Sequence, residues 1–280
     1  MRLFLRTKTI LKLSLLFIMV CLTTSCATSG INKGQFNLYS IGYEKSIGKQ
    51  LSKEVEMECN ILHITTLQEY VDHIGQKLAQ NVGDSPFSYS FKIIDEDEIN
   101  AFALPGGYIF VYRGLLENVD NEAQLAGVLA HEMGHVEARH ATERISKLQG
   151  FNFLLNIIAM VVHIPSAGGS VGAAIQLGEL LAMLKYSRSQ EKEADLLGAD
   201  FMTRAGYEPK AMVDFFRKLQ EIDKRKPGLI SRIFMTHPVT EDRIKTVETW
   251  IEEHAPMVEA EERKLTSPRF AIISELITKE

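Results

Sequence analysis

The strongest constraint on this chain is five residues long. His131-Glu132-Met133-Gly134-His135 has the spacing H-E-x-x-H, and it follows the small and apolar run Leu125-Ala126-Gly127-Val128-Leu129-Ala130. Asp120 or Asn121 can cap a helix through this stretch, with Gln124 in capping-box position if Asn121 is the cap. Residues four apart lie about 40° apart around a helix, so both imidazoles reach one ion from the same face. Glu132 sits beside the first histidine, where a carboxylate takes a proton from a water activated at the metal. A charged surface helix can carry this pattern by chance. The apolar flanks argue for an interior helix instead, where two histidines and a glutamate without partners would be costly.

A catalytic zinc needs a third protein ligand and keeps one position open. Downstream, Glu191-Lys192-Glu193-Ala194-Asp195 offers two candidates, Glu191 and Glu193. Glu191 has Asp195 one turn later on its own face, and a carboxylate there can accept the second N–H of a ligating imidazole. Glu193 points about 160° away from Asp195. Glu191 is therefore preferred. His140 lies five residues after His135, about 140° round a continuous helix, and is read as a capping or packing residue. His63, His73, His163 and His254 sit in no ligand pattern and are read as surface or core residues.

Three ordered motifs then resemble one family: His131-Glu132-Met133-Gly134-His135-Val136-x-x-Arg139-His140, Ser187-Arg188-x-x-Glu191-x-x-Ala194-Asp195, and His237-Pro238-x-x-x-x-Arg243-Ile244. They resemble metallopeptidase family forty-eight, which includes CAAX prenyl endopeptidases, Oma-type mitochondrial proteases and a beta-barrel assembly-enhancing protease. The resemblance spans about residues 40–255. It implies one zinc ion held by His131, His135 and Glu191, with Glu132 as catalytic base. It also brings His237, rigid before its proline, near the zinc. There His237 acts either as a hydrogen-bond donor to the developing oxyanion, the preferred role, or as a fourth ligand at rest. The implied fold is gluzincin-like. This chain lacks the multiple spanning helices of the prenyl endopeptidases and resembles the soluble, lipoprotein-type branch.

Periodicity fills in the fold. Apolar spacing predicts helices over 43–58 (Ile47, Leu51, Val55) and 66–80 (Leu67, Tyr70, Val71, Ile74, Leu78), closed by the turn chemistry of 81–86. Phe87, Tyr89, Phe91 and Ile93 alternate with polar residues as a half-buried strand does. After an acidic loop at 95–98, residues 101–112 read as strand, Pro-Gly-Gly break, strand. The helix of the metal motif is expected to run on to about Leu148. Residues 150–184, apolar and glycine-rich around Pro165, read as two buried helices, since the run 153–162 is too short for a membrane hairpin. Helices follow over 190–204, 209–223 and 240–254. The class is α+β, mostly helical with a small antiparallel sheet. The strand around Gly107–Tyr112 is expected to pair with an extended substrate.

The first 25 residues read as a secretory signal. Arg2, Arg6, Lys8 and Lys12 precede an apolar run over 13–22 that is too short to span a membrane. Thr23-Thr24-Ser25-Cys26 resembles a lipobox, with Thr23 where such boxes carry leucine, and Ala27-Thr28-Ser29-Gly30 is a polar tether. Cys26 is thus the expected lipid anchor, residues 26–42 the tether, and 43–280 the metallopeptidase domain. The expected location is the bacterial envelope, facing the periplasm. With Cys21 in the leader, only Cys59 remains, which excludes an internal disulfide and a cysteine metal cluster. The formal net charge of −5 becomes −9 once the four basic leader residues are removed. That acidity excludes nucleic acid as partner. A mean hydropathy of −0.03 excludes a polytopic membrane protein.

The residues and the resemblance together imply a zinc endopeptidase acting on extended, unfolded or misassembled envelope polypeptides. Two rivals are a zinc-containing chaperone that binds such chains without cutting them, and an aminopeptidase. An intact Glu132 argues against the first, because a binder needs ligands but no base. No motif for clasping a substrate amine supports the second.

Overall fold

The computed structural model describes residues 31, 35–150, 184–225, 236–254 and 265–277. The expectations for the leader, for Cys26 to Gly30, and for the helices at 151–183 lie outside the described residues. The chain forms α1 (Ile41–Glu58), α2 (Thr65–Ala79), β1 (Ser90–Ile94), β2 (Ala101–Leu104), β3 (Tyr108–Tyr112), α3 (Arg113–Asn118), α4 (Glu122–Glu137), α5 (Arg188–Arg204), α6 (Lys210–Arg225), α7 (Glu241–His254) and α8 (Pro268–Ile277). The class is α+β and mostly helical, as the periodicities require. No helix among the described residues is long and apolar enough to cross a membrane.

The sheet departs from the antiparallel expectation. Its order is β1-β3-β2, with β2 antiparallel to β3 but β1 parallel to it. The acidic loop between β1 and β2 makes no tight hairpin, so β2 does not lie beside β1. Asp95 is held by Arg113, Nε to Oδ1 2.8 Å, and Glu96 accepts from the Gly114 N–H at 3.0 Å. The loop thus runs under the start of α3, and β2 enters on the far side of β3. Only the β2–β3 link is a tight turn. Gly106 and Gly107 there adopt φ of +83° and +101°, and a Cβ on Gly107 would come within 2.4 Å of the Ser88 carbonyl oxygen. Only glycine fits that combination.

This order also overturns the expected substrate strand. Tyr108–Tyr112 is the central strand, bonded on both sides, and has no edge to offer. The outer side of β1 is engaged too: Leu62 donates to Ile93 O at 2.8 Å, and the Gln68 and Gln76 amides cap Phe91 O and Tyr89 O. Among the described residues the free edge is that of β2.

Side-chain alternation along β3 divides the core. Ile109 and Val111 join Tyr70, Val71 and Ile74 of α2 and Leu125 and Leu129 of α4 in one apolar layer. Phe110 and Tyr112 face the other way, onto Leu51 and Val55 of α1 and Cys59. α4 has an almost fully buried surface, which fits an interior helix rather than an amphipathic one.

α4 does not reach Leu148 as expected. Ala138 ends it, Arg139 takes a left-handed φ of 53°, and residues 140–150 are helical again. That conformation is unfavourable for arginine. It is held by Glu44 of α1, 2.8 Å from Arg139 Nε, and by the Tyr39 carbonyl, which accepts from the same guanidinium.

Candidate metal centre

The centre is assembled where α4 crosses α5. Asn121 caps α4, accepting from the Gln124 N–H at 2.9 Å, and Ser187 and Gln190 close a reciprocal capping box at the start of α5. Gly134 lets the helices touch: a Cβ there would lie 2.7 Å from the Ala194 carbonyl oxygen. The contact sets His131 and His135, one turn apart on α4, against Glu191 and Asp195, one turn apart on α5. Glu191 lies in the first turn of α5, where the helix dipole favours negative charge.

Four side chains converge. His131, His135, Glu191 and His237 each present one ligand atom within 4.8 Å of the others, and all are buried. His131 Nε2 lies 3.1 Å from His135 Nε2 and 3.6 Å from Glu191 Oε2, and His135 Nε2 lies 3.5 Å from Glu191 Oε1. His237 Nδ1 is 3.3 Å from His131 Nε2 and 3.1 Å from Glu191 Oε1. A four-coordinate zinc with bonds of about 2.0–2.1 Å spaces its ligand atoms roughly 3.3–3.4 Å apart. The donor set and these separations therefore fit such an ion. Glu132 is 2% exposed, its Oε1 is 3.6 Å from His237 Nε2, and its Oε2 has no partner.

Around these atoms lies a layer of charge. Asp195 Oδ1 is 2.8 Å from His131 Nδ1. Arg243, on α7, meets Asp195 with a fork of two 2.7 Å bonds and reaches Glu191 Oε2 at 2.7 Å. It also donates to the Pro238 carbonyl at 3.1 Å, which ties the His237-Pro238 turn to the same carboxylates. Burial works against the charge on His131, yet Asp195 and Glu191 push its pKa up to about 9. Burial likewise opposes the Glu191 carboxylate, but His237, His131 and Arg243 hold its pKa well below the usual range. The first shift favours positive charge on His131, and the second keeps Glu191 in its carboxylate form, the form that binds a cation.

Some neighbours were not assigned to the centre from sequence. Tyr186 stacks on the His135 ring with centroids 3.9 Å apart. His140, fully buried, places Nδ1 2.8 Å from His135 Nδ1, and its Nε2 is 3.2 Å from Glu193 Oε2. The 140° argument for His140 presumed an unbroken helix, and the break at Arg139 removes it. Glu193 lies outside the ligand group but touches it through His140. Arg243 stood in the third motif with no role attached, and its six-residue spacing from His237 was the available signal. His63, His73 and His254 are exposed and away from the centre, and His163 lies outside the described residues.

Two imidazoles one helical turn apart, a carboxylate from a crossing helix and a glutamate with one unpartnered oxygen beside them define the centre of a helix-borne metallopeptidase. Residues 65–251 match peptidase family M48, and the chain belongs to that family. It is 30% identical over 224 residues to the beta-barrel assembly-enhancing protease of Escherichia coli (strain K12), covering 78% of this chain and 46% of that protein. It is 31% identical over 223 residues to the metalloprotease LoiP of the same organism, covering 76% of this chain and 82% of LoiP. The mitochondrial metalloendopeptidase OMA1 of Schizosaccharomyces pombe is 31% identical over 231 residues, 79% of this chain and 65% of OMA1. The chain spans about half the length of the beta-barrel assembly-enhancing proteases it matches.

Proposed function

We propose that this chain is a zinc-dependent endopeptidase that cuts extended, unfolded or misassembled polypeptides in the bacterial cell envelope. The observation that carries the reading is the meeting of His131, His135 and Glu191 beside Glu132, whose buried Oε2 is unpartnered. His131, His135 and Glu191 would hold one zinc ion, and Asp195 would orient the His131 ring. Bound zinc supplies Lewis acidity toward the scissile carbonyl and lowers the pKa of the attacking water. Glu132 accepts the proton of that water and returns it to the leaving amine nitrogen. A buried carboxylate oxygen with no internal partner is free for that transfer.

For His237 the geometry favours the resting-ligand role over the oxyanion donor. Its Nδ1 stands among the ligand atoms, so it would serve as a fourth ligand to a bound ion in the absence of substrate. Substrate pairing moves to the free edge of β2, because Ala103, Leu104 and Pro105 line one small cavity with His135 and Tyr186. An extended chain added there would pass beside the centre. Export and a lipid anchor at Cys26 rest on the leader motif. A role in envelope quality control gains support from a relative named for enhancing beta-barrel assembly.

Casein digestion with and without chelator, using wild type and Glu132→Gln, tests the reading. An endopeptidase yields internal fragments that vanish with chelator and with the variant. A chaperone binds casein but leaves it whole, and an aminopeptidase shortens only its N-terminus. For the anchor, Cys26→Ser should free the protein from membranes, and no label from a palmitate analogue on wild type would leave a plain signal peptide.

A further inference from the structure

His131 and His135 are both set to offer Nε2 to the metal, yet only His131 has a carboxylate on its other nitrogen. His135 has another histidine there. Two ring nitrogens 2.8 Å apart must share one proton, because two lone pairs or two N–H groups would repel at that distance. Which ring carries the proton decides whether His135 can bind metal at all.

Glu193 settles the choice. Its carboxylate oxygen, 3.2 Å from His140 Nε2, only accepts, so neutral His140 keeps its proton on Nε2. His140 Nδ1 is then a bare lone pair, and the shared proton must sit on His135 Nδ1. His135 Nε2 is left bare, 3.1 Å from His131 Nε2 and 3.5 Å from Glu191 Oε1, where the ligand atoms meet. The left-handed turn at Arg139 makes this contact, since it starts a new helix at His140 and returns that ring to His135.

We propose that Glu193 and His140 are positioning residues that fix His135 as the Nδ1–H tautomer and so prepare its Nε2 for the metal. The proposal rests on the reading of His135 as a ligand. Glu193 acts through two rings, His140 and then His135, whereas Asp195 acts on His131 directly. Such outer partners typically govern about 10- to 100-fold in metal affinity.

The test is the zinc dissociation constant of the purified full chain, measured by competition with a chromogenic chelator. His135→Ala is measured first, and if it keeps wild-type affinity the ligand reading itself is wrong. Given loss in His135→Ala, His140→Phe should bind zinc about 100-fold more weakly and Glu193→Ala about 10-fold more weakly. Glu193→Gln should stay within about threefold of wild type, because an amide oxygen still accepts from His140 Nε2. Asp200→Ala, on the same helix, should be unchanged. The Glu193 side chain is 36% exposed, so its variants disturb packing less and decide the matter even if His140→Phe misfolds. Wild-type affinity in Glu193→Ala, or a Glu193→Gln as weak as Glu193→Ala, would overturn the relay.

Discussion

Replacing Arg243 by leucine would strand two buried carboxylates at once. The guanidinium is 2% exposed and makes two 2.7 Å bonds to Asp195 and one 2.7 Å contact to Glu191, both of which are fully buried. Breaking a buried pair by removing one partner costs about 3–5 kcal/mol, because the remaining charge is uncompensated. For domains of about 150–250 residues each kcal/mol shifts the midpoint roughly 2–4 °C, so metal-free Arg243→Leu should melt about 6–20 °C below wild type. The zinc-loaded pair should differ by less, since the ion supplies positive charge beside Glu191. Arg243→Lys keeps the charge but loses the fork and should fall between. Adding Asp195→Asn to Arg243→Leu should restore part of the loss by removing one stranded charge. Circular dichroism melts in chelator, then with zinc, measure all four. A metal-free Arg243→Leu that melts within about 2 °C of wild type would refute the account, since it would show the carboxylates do not depend on the arginine.

Four further outcomes follow from the same geometry. Glu132→Gln should retain zinc by elemental analysis yet lose nearly all proteolysis, whereas Glu191→Ala should lose both; full zinc in Glu191→Ala would move the third ligand elsewhere. His237→Ala should cut at least as fast as wild type and hold zinc less firmly, while normal zinc with turnover roughly 100- to 1000-fold slower would restore the oxyanion-donor role. Zinc must displace the proton that His131 holds up to a pKa of about 9, so affinity should rise about tenfold per pH unit between roughly pH 6 and 9 and then level off; a flat profile in chelator competition would refute it. Burial first, then Glu96 and Glu58, push the Cys59 thiol up to about 11. Native protein at pH 8 should thus react with an aromatic disulfide far more slowly than denatured protein, and equal rates would contradict its burial.

Most helix positions were legible because each buries a stripe of side chains at helical spacing, though α3 and α8 carried no expectation, and the interior α4 was legible because its apolar run has no polar face. The parallel β1–β3 pair was not, because strand alternation is the same in either direction. Direction is set by the path of the 95–100 loop, and that path depends on Arg113, eighteen residues beyond Asp95. Periodicity carries no trace of such a contact. The error mattered for function, since it decided which strand has an edge.

The convergence of His131, His135 and Glu191 was legible for a related reason: a turn of helix fixes His131 against His135 and Glu191 against Asp195 without knowledge of the rest of the fold. What surrounds them depends on a single backbone torsion. A continuous helix would have carried His140 away from His135 and left Glu193 without a link to the centre. Arg139 has no sequence mark of a left-handed residue, as a glycine or asparagine would have. Its conformation is imposed from outside, by Glu44 and the Tyr39 carbonyl. The segment leading into α1 therefore holds the break that lets the first motif recruit a carboxylate from the second. A local pattern can specify ligands, but the groups that orient them are specified by contacts 95 to 100 residues apart.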